Sequence, residues 1–398
     1  MIRRRHARKV TGLLTLAGAV GLWALSPFRQ LTAQRHQEQA PQVYELRRGQ
    51  AVEFGADPPT VAPFGYKCDT HGNTYVAYSG STDILSQPGA VSQIPVSKIS
   101  PDSKKVVRYA VPERILDFDG HVYRYSFDIA PDGRLYALFN TARRQSDGKM
   151  EPQFLIGKYK DDGTIDSYLN VGQMSGTRVQ PLRMAVFGDG QFLLSGTTVL
   201  EKGLGTFAGI FSRDGVFVAP LRLGKPVVDL EEHRDDAPPE KPTKPASHLR
   251  EIEAQAKNPV SLESSALSFS AQDGNVYLLQ GTGEATLYVI SAAGKVVRRY
   301  DLLPPEPGLS PLQMATAGVG YLFIYYGHVA AGASNENIHH PGIITVLNSE
   351  TGEVTAVYRM PQEQGGLQLP ACAASPDQFY FLGTSKDNHL AVIPYSVR

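Results

Sequence analysis

Six polar residues stand where the sequence could put them to chemical use. Lys67 and Asp128 fall at the same position in two successive copies of a short recurring pattern, one supplying a cation and the next a carboxylate. Groups placed in this way either pair with each other or face a ligand together. Tyr66, Arg124, Arg183 and Gln313 lie one to four residues before that position in the first, second, third and fifth copies, on the innermost strands nearest the expected channel mouth. Ligand binding is their functional reading; the alternative is that they cap backbone groups. Asp128 is the lone carboxylate of the aligned positions, which otherwise hold mostly Phe, Met, Ala and Ser. A calcium ion asks for six to eight oxygen ligands, so this set offers little support for one, and no cofactor is expected. The pair His339-His340 follows Asn335-Glu336-Asn337, but adjacent histidines point in different directions and no second cluster accompanies them. A solvated loop is the better reading there. No Gly-x-Ser-x-Gly turn is present to carry a hydrolase nucleophile.

The element that repeats around these residues is a short apolar stretch, a turn at Asp-Gly or a relative of it, and then an aromatic and aliphatic strand. Six copies can be read, with turns at His71-Gly72, Asp132-Gly133, Asp189-Gly190, Asp273-Gly274, Val319-Gly320 and Asp377-Gln378. The first five are each followed by a second turn, at Asp102-Ser103, Asp162-Gly163, Asp214-Gly215, Ala293-Gly294 and Thr351-Gly352. Asp-Gly supplies the positive φ that lets a two-residue hairpin follow the twist of its strands. Two hairpins per copy make four strands. The sixth copy runs out of chain after His389-Leu390-Ala391-Val392-Ile393, so its fourth strand has to come from elsewhere. Gln42-Val43-Tyr44-Glu45-Leu46 is the segment expected to supply it, which would bring Tyr44 near Val392 and close a ring without exposed sheet edges.

These copies resemble six-bladed β-propellers of the NHL-repeat and TolB-like kind, whose blades carry a similar turn with an aromatic beyond it, as Pro131-Asp132-Gly133-Arg134-Leu135-Tyr136 does here. The resemblance covers nearly all of the chain after the N-terminal segment. It implies an all-β fold: six four-stranded antiparallel blades, with the ring closed by an N-terminal strand on the last blade. Tight turns then share one face of the disc and longer connections the other. The loops at 81–91, 141–153 and 328–341 belong to that second face, where a ligand is to be sought. Cys68 and Cys372 fall on the same side of their strands in the first and last blades, neighbours in a closed ring, and can form a disulfide; two buried thiols are the alternative. A binding or scaffolding module for a protein, peptide or glycan, working as a monomer, asks for nothing the sequence lacks. The competing reading is a metal-dependent hydrolase similar to the lactonase propellers.

Composition agrees with a β-rich chain, since 38 Gly, 28 Pro and 19 Tyr favour turns and strands. Lys plus Arg and Asp plus Glu both number 39, so no global field draws a nucleic acid onto the body. Charge is uneven at the start, where Arg3, Arg4, Arg5, Arg8 and Lys9 precede an apolar run from Val10 to Leu25. This order reads as an export signal at 1–33, with the rest of the chain at 34–398 outside the cytoplasm. An uncleaved signal would be its only link to a membrane. A Pro-rich, charged insertion at about 227–262 has too few apolar residues to order itself and reads as a solvated segment.

Overall fold

Strand formation follows the apolar pattern closely. Segments that are apolar on both faces become central strands packed between neighbours, and segments that alternate become outer strands with a wetter face. Val276–Gln280 is buried along its whole length, whereas Val296–Leu302 alternates between half-buried and exposed positions until Leu302, which is buried. The computed structural model describes residues 42–397 apart from 55–65, 70, 79–89, 172–178, 201–202, 222, 224–266, 271–272, 281–284, 329–341, 362–368 and 388. The export signal, the whole 227–262 insertion and His339-His340 lie outside the described residues.

Three short strands come first: β1 (Val43–Glu45), β2 (Arg47–Arg48) and β3 (Val52–Glu53). The first blade holds β4 (Tyr66–Cys68), β5 (Thr74–Ala77), β6 (Val96–Ile99) and β7 (Val106–Tyr109). The second holds β8 (Tyr123–Ile129), β9 (Leu135–Arg144), β10 (Met150–Tyr159) and β11 (Ile165–Asn170). The third holds β12 (Val179–Val186), β13 (Phe192–Leu200), β14 (Gly203–Phe211) and β15 (Phe217–Pro220). The fourth holds β16 (Leu267–Ser270), β17 (Val276–Gln280), β18 (Ala285–Ile290) and β19 (Val296–Leu302). The fifth holds β20 (Leu309–Thr316), β21 (Tyr321–His328), β22 (Ile343–Asn348) and β23 (Val354–Arg359), and the last β24 (Leu369–Ser375), β25 (Gln378–Thr384) and β26 (Leu390–Ser396). Within each blade, chain neighbours pair antiparallel. First turns have positive φ at Gly72, Gly133, Gly190, Gly274, Gly318 and Gly320, and second turns at Ser103, Gly163, Gly215, Gly294 and Gly352. Up-and-down connection places these turns on one face of the ring.

Blades bury their faces against one another, so the core is divided by seam. Clusters join blades one and two around Phe139, two and three around Phe192, three and four around Phe187, four and five around Leu287, and five and six around Phe379. Between blades six and one, the described cluster contains only Val76, Ile99, Leu382 and Val392, where every other seam has ten or more buried members. Among the described residues, that seam has the smallest hydrophobic contribution.

Ring closure differs from the sequence expectation in one step. Gln42 to Leu46 does not lie on the last blade: β1 pairs parallel with β23 of blade five, setting Tyr44 opposite Tyr358 instead of near Val392. The chain then crosses the seam, and β2 and β3 pair antiparallel with β26, which gives the last blade its fourth strand from residues 47–53. Leu46 explains the crossing. Its amide donates to the Arg359 carbonyl at 3.1 Å, and its side chain is buried in the seam between blades five and six. Leu46 is the first apolar residue of the segment to find full burial, and the register follows from that anchor. Leu46→Ala is expected to cost about 2–4 kcal/mol, measured by chemical denaturation. A loss below about 0.5 kcal/mol would mean that surface residues do not depend on this anchor to close the ring.

Candidate functional site

The inner strands β4, β8, β12, β16, β20 and β24 line the axis, and their side chains alternate between the preceding seam and the following one. Phe127, Met184 and Met314 face the preceding blade; Ala185 and Ala315 face the following one. Asp128 occupies the same slot as these alanines and is almost fully buried. Its Oδ1 lies 3.3 Å from Lys67 Nζ in blade one, and its Oδ2 accepts the Val186 amide of blade three at 2.9 Å. One carboxylate thus ties three successive inner strands.

The other candidates do not converge with this pair. Arg124 is buried: Nη1 donates to the Ile94 carbonyl of blade one, and the guanidinium lies over the Phe127 ring. Burial, only partly offset by Tyr159, brings its pKa down to about 10. Gln313 is buried in β20 opposite Tyr325, and Arg183 is exposed on β12. Tyr66 belongs to β4, but its side chain lies outside the described residues. Cys68 and Cys372 meet across the seam between blades one and six as a disulfide, with Cα atoms 5.4 Å apart. The segment at 141–153 is not a loop, because Thr141 pairs with Gln153 in a long β9–β10 ladder turning at 145–149. Alternating side chains there were hidden in the sequence by the polar run Arg143-Arg144-Gln145-Ser146-Asp147. The segments at 81–91 and 328–341 lie almost wholly outside the described residues.

Two features escaped the sequence reading. The first is a β-bulge at one level of four inner strands: Tyr125, Leu182, Leu312 and Ala371 are extra residues with no partner opposite. Each bulge re-aims a side chain at the end of the strand away from the tight turns. Tyr125 and Leu312 are left 40% and 37% exposed. Gly196 makes room for one bulge, since a Cβ there would come within 2.1 Å of the Gln180 carbonyl oxygen. The copies Pro181-Leu182-Arg183-Met184-Ala185 and Pro311-Leu312-Gln313-Met314-Ala315 were the available signal.

The second feature is a carboxylate, tyrosine and cation set on the tight-turn face. In blade four, Tyr277 donates its hydroxyl to Asp273 Oδ2 at 3.0 Å, while Arg298 Nη2 reaches that oxygen at 2.8 Å and the tyrosine oxygen at 3.1 Å. Asp273 also accepts the Asn275 amide and side chain. Burial raises the Asp273 pKa, but these hydrogen bonds outweigh it and hold the carboxyl below its ordinary value. Burial, then the Asp273 charge, pushes the Tyr277 hydroxyl far above the usual phenol range. Blade one has a related set, in which Tyr75 lies 3.1 Å from Asp69 Oδ2 and 3.0 Å from the Gly133 carbonyl of blade two, with Lys98 Nζ 3.7 Å from the carboxylate. An Asp near the turn followed by Tyr one strand residue further on was the legible signal.

Six sheets, each built on four antiparallel strands with its innermost strand at one common axis, define the class: the chain is a six-bladed β-propeller. It matches no protein-family model and no curated protein. Among solved structures, a protein of unknown function from Dyadobacter fermentans is similar at a TM-score of 0.48, with 10% identity over 89% of this chain and 99% of that one. An α-L-arabinanase from Penicillium chrysogenum, complexed with arabinobiose, gives 0.43 and 9% over 88% and 98%. A soluble aldose sugar dehydrogenase from Escherichia coli, in the apo form, gives 0.38 and 13% over 89% and 100%.

Proposed function

We propose that this chain is an exported binding or scaffolding propeller of the NHL-repeat and TolB-like kind, engaging a protein, peptide or glycan through the face opposite its tight turns. The bulged inner strands carry the reading. They turn Tyr125 and Leu312 outward at the end of the strands where the inter-blade connections also run, and those connections present Leu116 at 90% and Leu303 at 74% exposure. Apolar side chains left in water at this end of the strands supply surface that a bound partner would bury. Export is supported by the basic and apolar order of residues 3–25.

The alternative, a hydrolase holding calcium at the axis, would need Asp128 released from both Lys67 and the Val186 amide. Calcium-dependent thermal stabilisation together with lactone hydrolysis would favour it. The binding reading is tested by affinity capture from the extracytoplasmic fraction with the full chain, followed by titration of the captured partner. Leu116→Ser combined with Leu303→Ser and Leu312→Ser should weaken that partner at least about tenfold and leave the folding transition in place. Equal affinity for the wild type and the triple variant would remove this face from consideration. Arg183→Ala, beside the Leu182 bulge, measures the contribution of the one exposed guanidinium among the residues singled out above.

A further inference from the structure

The opposite face carries a separate opening. Between blades four and five, on the tight-turn side, lies a cleft of about 560 Å³, within the range of roughly 300–1,000 Å³ that holds small molecules. Blade four contributes the Asp273, Tyr277 and Arg298 set, and blade five the Gly318-Val319-Gly320 turn, Tyr321 and the second turn at Asn348. We propose that this cleft is a binding site for a short neutral saccharide, a function beyond the docking surface proposed for the other face.

Four observations lead to that ligand class. Two of the three charges lining the cleft cancel, because Arg298 and Asp273 form an ion pair at 2.8 Å with which a charged ligand would have to compete, and the third, Glu350 on the blade-five wall, disfavours an anion. Hydrogen-bonding capacity nonetheless remains. Arg298 uses Nη2 for both Asp273 and Tyr277, while its Nε is buried with no hydrogen-bond partner among the described residues. A planar guanidinium held in place by a carboxylate and a phenol is pre-organised to meet the paired oxygens of adjacent hydroxyl groups. On the other wall, Asn348 holds its turn through Oδ1, which accepts the amides of Glu350 and Thr351, and this orients the rest of its amide. Val319, 78% exposed at the tip, and Tyr321 give apolar surface for the carbon-bound face of a sugar ring. Gly320, whose Cβ would meet nothing within 4 Å, leaves the entrance open between them.

The test titrates the full chain with maltotriose, cellotriose, xylotriose, mannotriose and chitotriose, following backbone amide shifts. At least one trisaccharide is expected to give saturable shifts centred on Gly318, Gly320, Ser349 and Arg298. Arg298→Lys keeps the charge and loses the planar fork, and should weaken that sugar at least about tenfold. Because Arg298 also braces Asp273, Val319→Arg supplies the second variant: it touches no core and places a long side chain across the opening, with a similar loss expected. The triple serine variant of the other face should bind the sugar as the wild type does, so failure here and failure of the docking surface are told apart. No saturable shift with any of the five sugars overturns the proposal, as does binding that both Arg298→Lys and Val319→Arg leave intact.

Discussion

Replacing Asp128 by alanine should destabilise the ring by about 3–5 kcal/mol, the cost that follows when one partner of a buried ion pair is removed. The geometry says where the loss arises. Without the carboxylate, the Val186 amide loses its 2.9 Å acceptor and Lys67 loses its 3.3 Å counter-charge, in the middle of three packed inner strands. Alanines in the equivalent slots of blades three and five show that a small side chain fits the backbone, so the loss would not come from strand geometry. Asp128→Asn separates the two contributions. Its amide oxygen can still accept from Val186 while the charge facing Lys67 is gone, so about half of the alanine loss should be recovered. Urea denaturation of the three proteins measures this directly. If alanine cost less than about 1 kcal/mol, the carboxylate would not be tying these strands, and the case for treating Lys67 and Asp128 as structural would fall.

This pair also shows what a sequence can convey about a repeat fold. Turns and strands were legible because each is a local matter: Asp-Gly needs positive φ, and apolar runs of four to eight residues need burial on both faces. Even the pairing of Lys67 with Asp128 was accessible, since equivalent slots of adjacent blades must be neighbours. Three things were less accessible, each for its own reason. Bulges shift the alternation by one residue, so Arg124, Arg183 and Gln313 read as one side of a ladder drawn without them, whereas the bulge at Tyr125 separates Arg124 from the side that Arg183 and Gln313 keep. Arg124 lies before its bulge and turns into the blade-one seam, while Arg183 lies after its own and faces solvent. Ring closure depends on which residue of a short segment finds burial first, and Leu46 decides it over the more strand-like Val43 and Tyr44, both of which stay exposed. The Asp273, Tyr277 and Arg298 set joins a turn to the second and fourth strands of its blade, a separation at which spacing alone gives no sign of contact.

The second large effect expected is at the seam where the ring begins and ends. Cys68 and Cys372 are 304 residues apart in sequence, and a cross-link over so long a span removes much of the freedom of the unfolded chain, worth about 3–5 kcal/mol. The same seam has the smallest apolar cluster among the described residues, four buried side chains from Val76 to Val392, so packing offers least there to replace the link. Cys68→Ser with Cys372→Ser is therefore expected to lower Tm by roughly 5–10 °C, and mild reduction of the wild type should give the same shift. Amide exchange should rise first in β5 and β25, the strands that bring Val76 and Leu382 to the seam, and not in blade three on the far side of the ring. Alkylation without reductant, followed by mass spectrometry, checks the premise. Two labelled cysteines in the native protein would show free thiols and withdraw the expected shift. A bridged protein that loses no stability on reduction would show instead that β2 and β3, which pair with β26 from the N-terminal side, suffice to hold the first and last blades together.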